Sequence, residues 1–211
     1  MNPLINVLLV DDHLVVREGY KQLLEKANIK VIAEASNGEE AYSLFDTIIP
    51  DVTIMDISMP GISGIETIKK VKNKYPKTKI LAFSMHDDMI FTSRAIEAGA
   101  SGYVTKSSAP TVLVEAVRTV FDNKRYISPD LAKKIALNGV NEMNEIKSLS
   151  DREFEVFRLL ASGKSLDEIS EILSLDYKTI ANIQSRIKYK LKIENKSQLI
   201  LAAIKFNILI V

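Results

Sequence analysis

Cysteine is absent from this 211-residue chain, so neither a disulfide nor a thiolate metal site can hold its fold. Histidine is scarce. His13 and His86 are the only two, which leaves little material for a histidine-based zinc centre or a catalytic triad. No apolar run approaches the ~20 residues that a membrane span needs, and no membrane association is expected. The opening Met-Asn-Pro-Leu-Ile-Asn has neither a basic start nor a small-residue cleavage site, so no secretory signal is expected and the default location is cytoplasmic. A dominant charge is missing too: 28 basic residues stand against 27 acidic ones, and a net charge of +1 points to no class of partner.

The bulk composition, 46% hydrophobic and 26% charged, suits a folded chain of one large domain or two small ones. The order of the residues decides between these. Short apolar runs at 6–10, 31–35, 52–55, 80–83 and 102–105 alternate with amphipathic segments near 14–26, 38–47, 64–74, 87–98 and 110–122. That alternation predicts an α/β domain over 1–122, a doubly wound five-stranded parallel sheet covered on both faces. The near-continuous apolar run Val7-Leu8-Leu9-Val10 fits a strand buried on both sides. Residues 123–148 break the rhythm and read as a linker. Ser128-Pro129-Asp130 can start a short helix there, and the polar stretch from Asn138 to Glu145 reads as tether. From 149 to 211 the pattern is all-α, with four helices predicted near 150–162, 165–173, 177–192 and 196–207.

Open α/β sheets present functional groups at the carboxyl ends of their strands. Asp11 and Asp12 follow the first strand, Asp56 the third, Ser84 the fourth and Lys106 the fifth. Any one of these residues alone reads as a cap, a turn or a surface group. Placed together they form a pocket. Three carboxylates at one edge repel unless a cation joins them, and oxygen-only ligands suit a hard cation such as Mg²⁺. A lysine opposite would neutralise a phosphoryl group, and a serine hydroxyl would donate to one of its oxygens. A carboxylate can itself attack phosphorus and form an acyl phosphate.

Val10-Asp11-Asp12-His13, Met55-Asp56-Ile57-Ser58-Met59-Pro60-Gly61, Ser84-Met85 and Gly102-Tyr103-Val104-Thr105-Lys106 together resemble the signature of CheY-like receiver domains. The resemblance covers about residues 4–122. It implies that Asp56 accepts a phosphoryl group from a sensor histidine kinase. It implies Mg²⁺ held by Asp11, Asp12, Asp56 and the Ser58 carbonyl, with Lys106 and Ser84 contacting the phosphoryl group. Ser84 and Tyr103 match the family's switch pair, in which local charge selects one of two packings. Read for packing alone, Tyr103 is a half-buried residue of an edge strand.

In the helical segment, Ser150 followed by Glu153 is a capping-box signature, and the helix it starts buries Phe154, Phe157, Leu160 and Ala161. Ile180, Ile183, Ile187 and Leu191 share one face of the third helix. The opposite face carries Lys178, Asn182, Ser185, Tyr189 and Lys192, flanked by Ala181 and Lys188. Residues 176–192 hold five cations, Arg186 among them, against Asp176, a local charge of +4. Small polar side chains bordered by cations fit a recognition helix in the major groove of double-stranded DNA.

Leu149-Ser150-Asp151-Arg152-Glu153, Glu168-Ile169-Ser170, Lys178-Thr179-Ile180 and Lys190-Leu191 resemble the LuxR-type helix-turn-helix domain, which adds Thr179 to the expected DNA contacts. Receiver plus LuxR-type domain resembles the NarL/FixJ class of transcription factor. Ser58-Met59-Pro60-Gly61-Ile62, Ala109-Pro110, Arg125-Tyr126-Ile127 and the Asn-free stretch Lys164–Ser170 resemble its GacA/UvrY-type branch. Ile183 and Gln184 depart from the pattern, since many members have an aromatic or His and then an Arg there. The resemblance also implies that the last helix pairs two copies as a homodimer through Leu199, Ile200, Ala203 and Ile204. The apolar tail Phe206-Asn207-Ile208-Leu209-Ile210-Val211 adds surface of the kind that marks contacts.

Two other functions compete with this reading. Aspartyl-phosphate hydrolases place a second Asp two residues after the nucleophile as acid and base. Here that residue is Ser58, so no enzyme of multiple turnover is expected. A pure protein-interaction module is disfavoured by the +4 helix.

Overall fold

The structure, a computed structural model, describes residues 3–87, 89–138, 146, 148–206 and 208. The chain divides into two units, Met1–Leu137 and Asn138–Val211.

The first unit runs β1 (Ile5–Val10), α1 (Leu14–Lys26), β2 (Ile29–Ala35), α2 (Gly38–Leu44), β3 (Val52–Asp56), α3 (Gly64–Lys74), β4 (Ile80–Ser84), α4 (Met89–Glu97), β5 (Gly102–Thr105), α5 (Pro110–Phe121), β6 (Tyr126–Ile127) and α6 (Pro129–Asn138). The strands form one parallel sheet in the order β2-β1-β3-β4-β5-β6. Alternation along each strand splits its side chains between two faces. Ile5, Val7 and Leu9 join Ile54, Leu81, Phe83 and Val104 against Leu24 of α1 and Leu113, Ala116, Val117 and Val120 of α5. Leu8, Val10 and Met55 point the other way and are equally buried, on the side served by α2, α3 and α4. Burial on both faces is why these strands read as continuous apolar runs. Local signals start the helices. Asn37 and Ser63 cap α2 and α3 through side-chain oxygens, and Pro110 opens α5 at a position that lacks a backbone partner anyway.

The sheet has six strands where five were expected. β6 is two residues long and pairs with β5 in the register Gly102↔Tyr126 and Tyr103↔Ile127. Two residues are too few to show a period of two, so the pattern could not reveal them. Gly102 makes the pairing possible, because a Cβ there would lie 2.7 Å from the Tyr126 carbonyl oxygen. Two corrections follow. β5 is an interior strand, and Tyr103 is fully buried instead of half-buried. The expected tether 123–148 begins with β6 and α6, which belong largely to the first unit. Its polar stretch 139–145 lies outside the described residues.

The second unit contains α7 (Asp151–Ala161), α8 (Leu166–Leu173), α9 (Tyr177–Leu191) and α10 (Lys196–Lys205), close to the four predicted helices. α7 carries the predicted capping box of Ser150 and Glu153, and α8 carries a second one, of Ser165 and Glu168. α8 ends on Ser174 in the left-handed region at φ +51°, and Asp176 then caps α9 by accepting from the Thr179 N–H. Phe154, Phe157, Ile169, Ile180, Ile183, Ile187, Leu199 and Ala203 are buried together as its core. Arg152 locks two helices: its guanidinium donates to Glu155 Oε2 at 2.8 Å and to the Leu173 carbonyl at 2.9 Å. Burial pushes the Glu155 carboxyl pKa up, against the pull of Arg152 and Arg158.

Candidate functional site

β1 and β3 sit side by side in the sheet, so Asp11 and Asp56 arrive at adjacent strand ends. Both are buried, at 1% and 3% exposure. Lys106 reaches in from the end of β5 and bridges them, its Nζ donating to Asp11 Oδ2 at 2.5 Å and to Asp56 Oδ2 at 2.6 Å. The remaining Asp56 oxygen, Oδ1, accepts from the Ser58 N–H at 3.1 Å. Burial raises the Asp56 pKa to about 6, and Lys106 opposes the rise. Burial also works against the Lys106 charge, but Asp56 and Asp11 more than offset it and hold its pKa above the ordinary value. The Lys106 ammonium also lies 5.7 Å from the centre of the Phe83 ring, which Tyr20 of α1 meets edge-on.

Asp12 is half-buried beside this pair, and its Oδ1 is buried without a hydrogen bond. Asp11, Asp12, His13 and Asp56 each offer one ligand atom, all within 4.8 Å of one another. Ser84, fully buried, accepts the His86 N–H at 3.1 Å. Tyr103 donates its hydroxyl to the His86 carbonyl at 2.7 Å. His86 therefore ties together the two residues of the expected switch pair, and its ring also meets Ser58 Oγ at 2.8 Å. Neither histidine is among the site residues expected from the sequence. The available signal was position: His13 follows Asp11-Asp12 directly, and His86 lies two residues after Ser84.

The acceptor loop depends on one glycine. A Cβ on Gly64 would lie 1.9 Å from the Asp56 carbonyl oxygen, and the Gly64 N–H donates to the Ile57 carbonyl at 2.9 Å. Gly64→Ala is expected to cost ~2–4 kcal/mol, because backbone, not a flexible side chain, must move. Urea denaturation measures this, and wild-type stability of the variant would refute the close approach.

In the second unit, Lys178, Asn182, Ser185, Arg186 and Tyr189 are exposed on α9 and Lys192 is exposed at its C-cap, while Thr179, Ala181 and Lys188 are half-buried. The Thr179 hydroxyl is engaged by the Asp176 carboxylate, and Ser185 Oγ donates back to the Ala181 carbonyl. Buried Glu153 holds the basic side of the helix. It pairs with Lys190 Nζ at 2.6 Å and lies 3.9 Å from Arg186 Nε. Burial opposes the Glu153 charge, yet Lys190 and Ser150 bring its pKa below the ordinary value. Ile183 lies in the core, as its apolar character required. The expected pairing set on α10 is split. Leu199 and Ala203 are buried in the unit's own core, because their spacing of four puts them on the inward face. Ile200 is half-buried, and Leu201 and Ile204 are the exposed apolar residues, at 64% and 37%. The tail residues 207 and 209–211 lie outside the described residues. Among the described residues no helix is long and apolar enough to cross a membrane.

A parallel sheet with an acidic pocket at its strand ends, followed by a helical unit with a basic face, matches two known families. Residues 7–118 match the response regulator receiver domain, and residues 147–203 match bacterial regulatory proteins of the luxR family. The chain belongs to the response regulators that combine a receiver domain with a LuxR-type DNA-binding domain. It is similar over almost its whole length to regulators of the UvrY/GacA branch. Response regulator UvrY of Escherichia coli K12 is 39% identical over 209 residues, covering 97% of this chain and 96% of that protein. Response regulator GacA of Pseudomonas aeruginosa is 35% identical over 206 residues, 96% of each. Among solved structures, RcsB from Salmonella enterica serovar Typhimurium bound to promoter rprA with phosphomimetic BeF3- is 30% identical with a TM-score of 0.65, covering 93% of this chain and 97% of that one. A LuxR-family two-component response regulator from Aurantimonas is 44% identical with a TM-score of 0.62, over 64% of this chain and 96% of that one.

Proposed function

We propose that this transcriptional response regulator takes a phosphoryl group onto Asp56 from a sensor histidine kinase and, once phosphorylated, binds double-stranded DNA as a homodimer. The observation that carries the reading is the buried Lys106 ammonium shared between Asp11 and Asp56. A charge held this way is aimed at the place where an acyl phosphate on Asp56 would carry its negative oxygens. In the transfer a carboxylate oxygen of Asp56 bonds to phosphorus, the phosphorus–nitrogen bond of the kinase phosphohistidine breaks, and the imidazole keeps that electron pair and takes up a proton. Ser84, buried beside Lys106's strand, would turn its hydroxyl from the His86 N–H to a phosphoryl oxygen. That exchange would release the loop whose carbonyl Tyr103 now holds.

The oxygen donors of this pocket fit Mg²⁺. Asp12 Oδ1 is buried with no hydrogen bond, a cost that a cation would remove. Asp11, Asp12 and Asp56 with the Ser58 carbonyl would hold the ion. When bound it would neutralise the carboxylates and polarise phosphoryl oxygens.

We assign the receiver to residues 1–122 with β6 and α6 joined to the same unit, the rest of 123–148 to the linker and 149–211 to the DNA-binding domain. The exposed face of α9 would enter the major groove, with Leu201 and Ile204 of α10, beside half-buried Ile200, as the apolar surface available for pairing. Lys188→Ala is expected to weaken binding to every sequence and to lower the salt dependence by about one counterion, whereas Asn182→Ala is expected to relax preference at one base position by ~1–3 kcal/mol. The same sequence-independent loss in both variants would refute the groove assignment. The test of the whole reading is a genome-wide map of DNA binding for wild type and Asp56→Ala. Loss of most sites in the variant is the expected result, and identical maps would overturn phosphorylation as the switch.

A further inference from the structure

Both imidazoles of this chain sit on the rim of the carboxylate cluster. His86 is engaged with Ser58, and its ring stacks on Phe91 at 4.1 Å between centroids. His13 is placed differently. It occupies the N-cap of α1, where a side chain ordinarily accepts from the helix, yet its ring makes no capping hydrogen bond. Its backbone N–H donates to Asp11 Oδ1 at 2.9 Å. Its ring Nδ1 lies 2.9 Å from Asp12 Oδ1 and 3.4 Å from Asp11 Oδ1. Asp12 Oδ1 receives no hydrogen bond despite that approach. A ring nitrogen brought up to two carboxylate oxygens, outside hydrogen-bond geometry, converges with them on a position for a cation.

We propose that His13 is a nitrogen ligand of the pocket, so that it binds divalent transition metals such as Mn²⁺ or Co²⁺ in preference to Mg²⁺. The inference rests on the reading of the pocket as a metal site. Mg²⁺ gains little from imidazole, because it prefers oxygen and keeps its waters, whereas a nitrogen ligand adds to the affinity of Co²⁺ and, to a smaller degree, of Mn²⁺. The His13 side chain is 66% exposed, so its ring can turn towards an ion without disturbing the core.

The test titrates the full chain with Mn²⁺ at about pH 8. Electron spin echo modulation of the bound ion reads nitrogen coupling directly, without any activity measurement. Wild type is expected to show the coupling, His86→Gln to keep it and His13→Asn to lose it. The Mn²⁺ Kd is expected to rise about tenfold in His13→Asn, with the Mg²⁺ Kd changing less than about twofold. Wild-type Mn²⁺ binding without nitrogen coupling, or coupling that disappears with His86 instead, overturns the role of His13 and leaves the metal site standing. Absence of binding by either ion to wild type overturns the metal site itself. If His13→Asn fails to fold, the coupling in wild type and in His86→Gln still decides.

Discussion

Asp56→Asn is expected to take up no phosphoryl group from acetyl phosphate with Mg²⁺ present, and yet to melt at a higher temperature than wild type. The first effect follows from the nucleophile: an amide oxygen lacks the charge to attack phosphorus and form a stable acyl phosphate. The second follows from burial. The Asp56 pKa rises from 3.8 to about 6 because the fold removes water from its carboxylate faster than Lys106 compensates. A raised carboxyl pKa means that the folded state binds more protons than the unfolded one between about pH 4 and pH 6. Stability therefore falls as pH rises through that window, and the cost is fully present at neutral pH. About two units correspond to ~3 kcal/mol at most, a net figure in which the Lys106 attraction is already counted, so a gain of ~1–3 kcal/mol is expected. Thermal melts at pH 4 and pH 7.5 would check this. The variant should gain several degrees at pH 7.5 and little at pH 4, and an equal gain at both would show that the Asp56 charge is not its source.

Lys106→Ala is expected to produce the largest loss of stability of any single change in the pocket. It removes the cation shared by two carboxylates whose side chains are 2% and 4% exposed. Breaking a buried pair by deleting one partner costs ~3–5 kcal/mol, since the other charge remains buried. Partial protonation softens that figure, because Asp56 loses the group that opposes its raised pKa. The destabilisation should therefore grow as pH rises through neutrality and shrink below about pH 5. A divalent cation should restore most of the loss by taking over the same carboxylates. The phosphoryl chemistry should stay impaired, because the cation would not supply the lysine's contact. Melts with and without millimolar Mg²⁺ check the first part and acetyl phosphate labelling the second. If Lys106→Ala melted like wild type in chelator, the bridge would not be holding the two strand ends.

Much of the pocket was legible along the chain. Asp11, Asp12, Asp56, Ser84 and Lys106 are polar residues that end apolar runs, and a parallel sheet delivers the ends of its strands to one edge. The helices of the second unit were legible for a related reason. Ser150 with Glu153 and Asp176 before Tyr177 are local caps, and the isoleucines of α9 repeat at helical spacing. Other features left no such trace. β6 is held by the close approach of Tyr126 to Gly102, a contact between residues 24 apart that no local period records. Leu199 and Ala203 looked the same as Ile200 and Ile204 in the sequence, and only packing, against α7 above all, decided which pair is inside.

The sequence by itself determined the class of fold, the set of residues at the strand ends and the basic face of α9, because each is written in a local period or in a residue that interrupts one. Tertiary structure alone decided how those residues pair. Lys106 is shared between Asp11 and Asp56 across gaps of 95 and 50 residues. His86 joins Ser84, Tyr103 and Ser58 through its backbone and ring. His13 turns its nitrogen to the carboxylates instead of to its helix. Such choices depend on which strands lie adjacent and how much water they exclude, and distance and dielectric are properties of the folded chain.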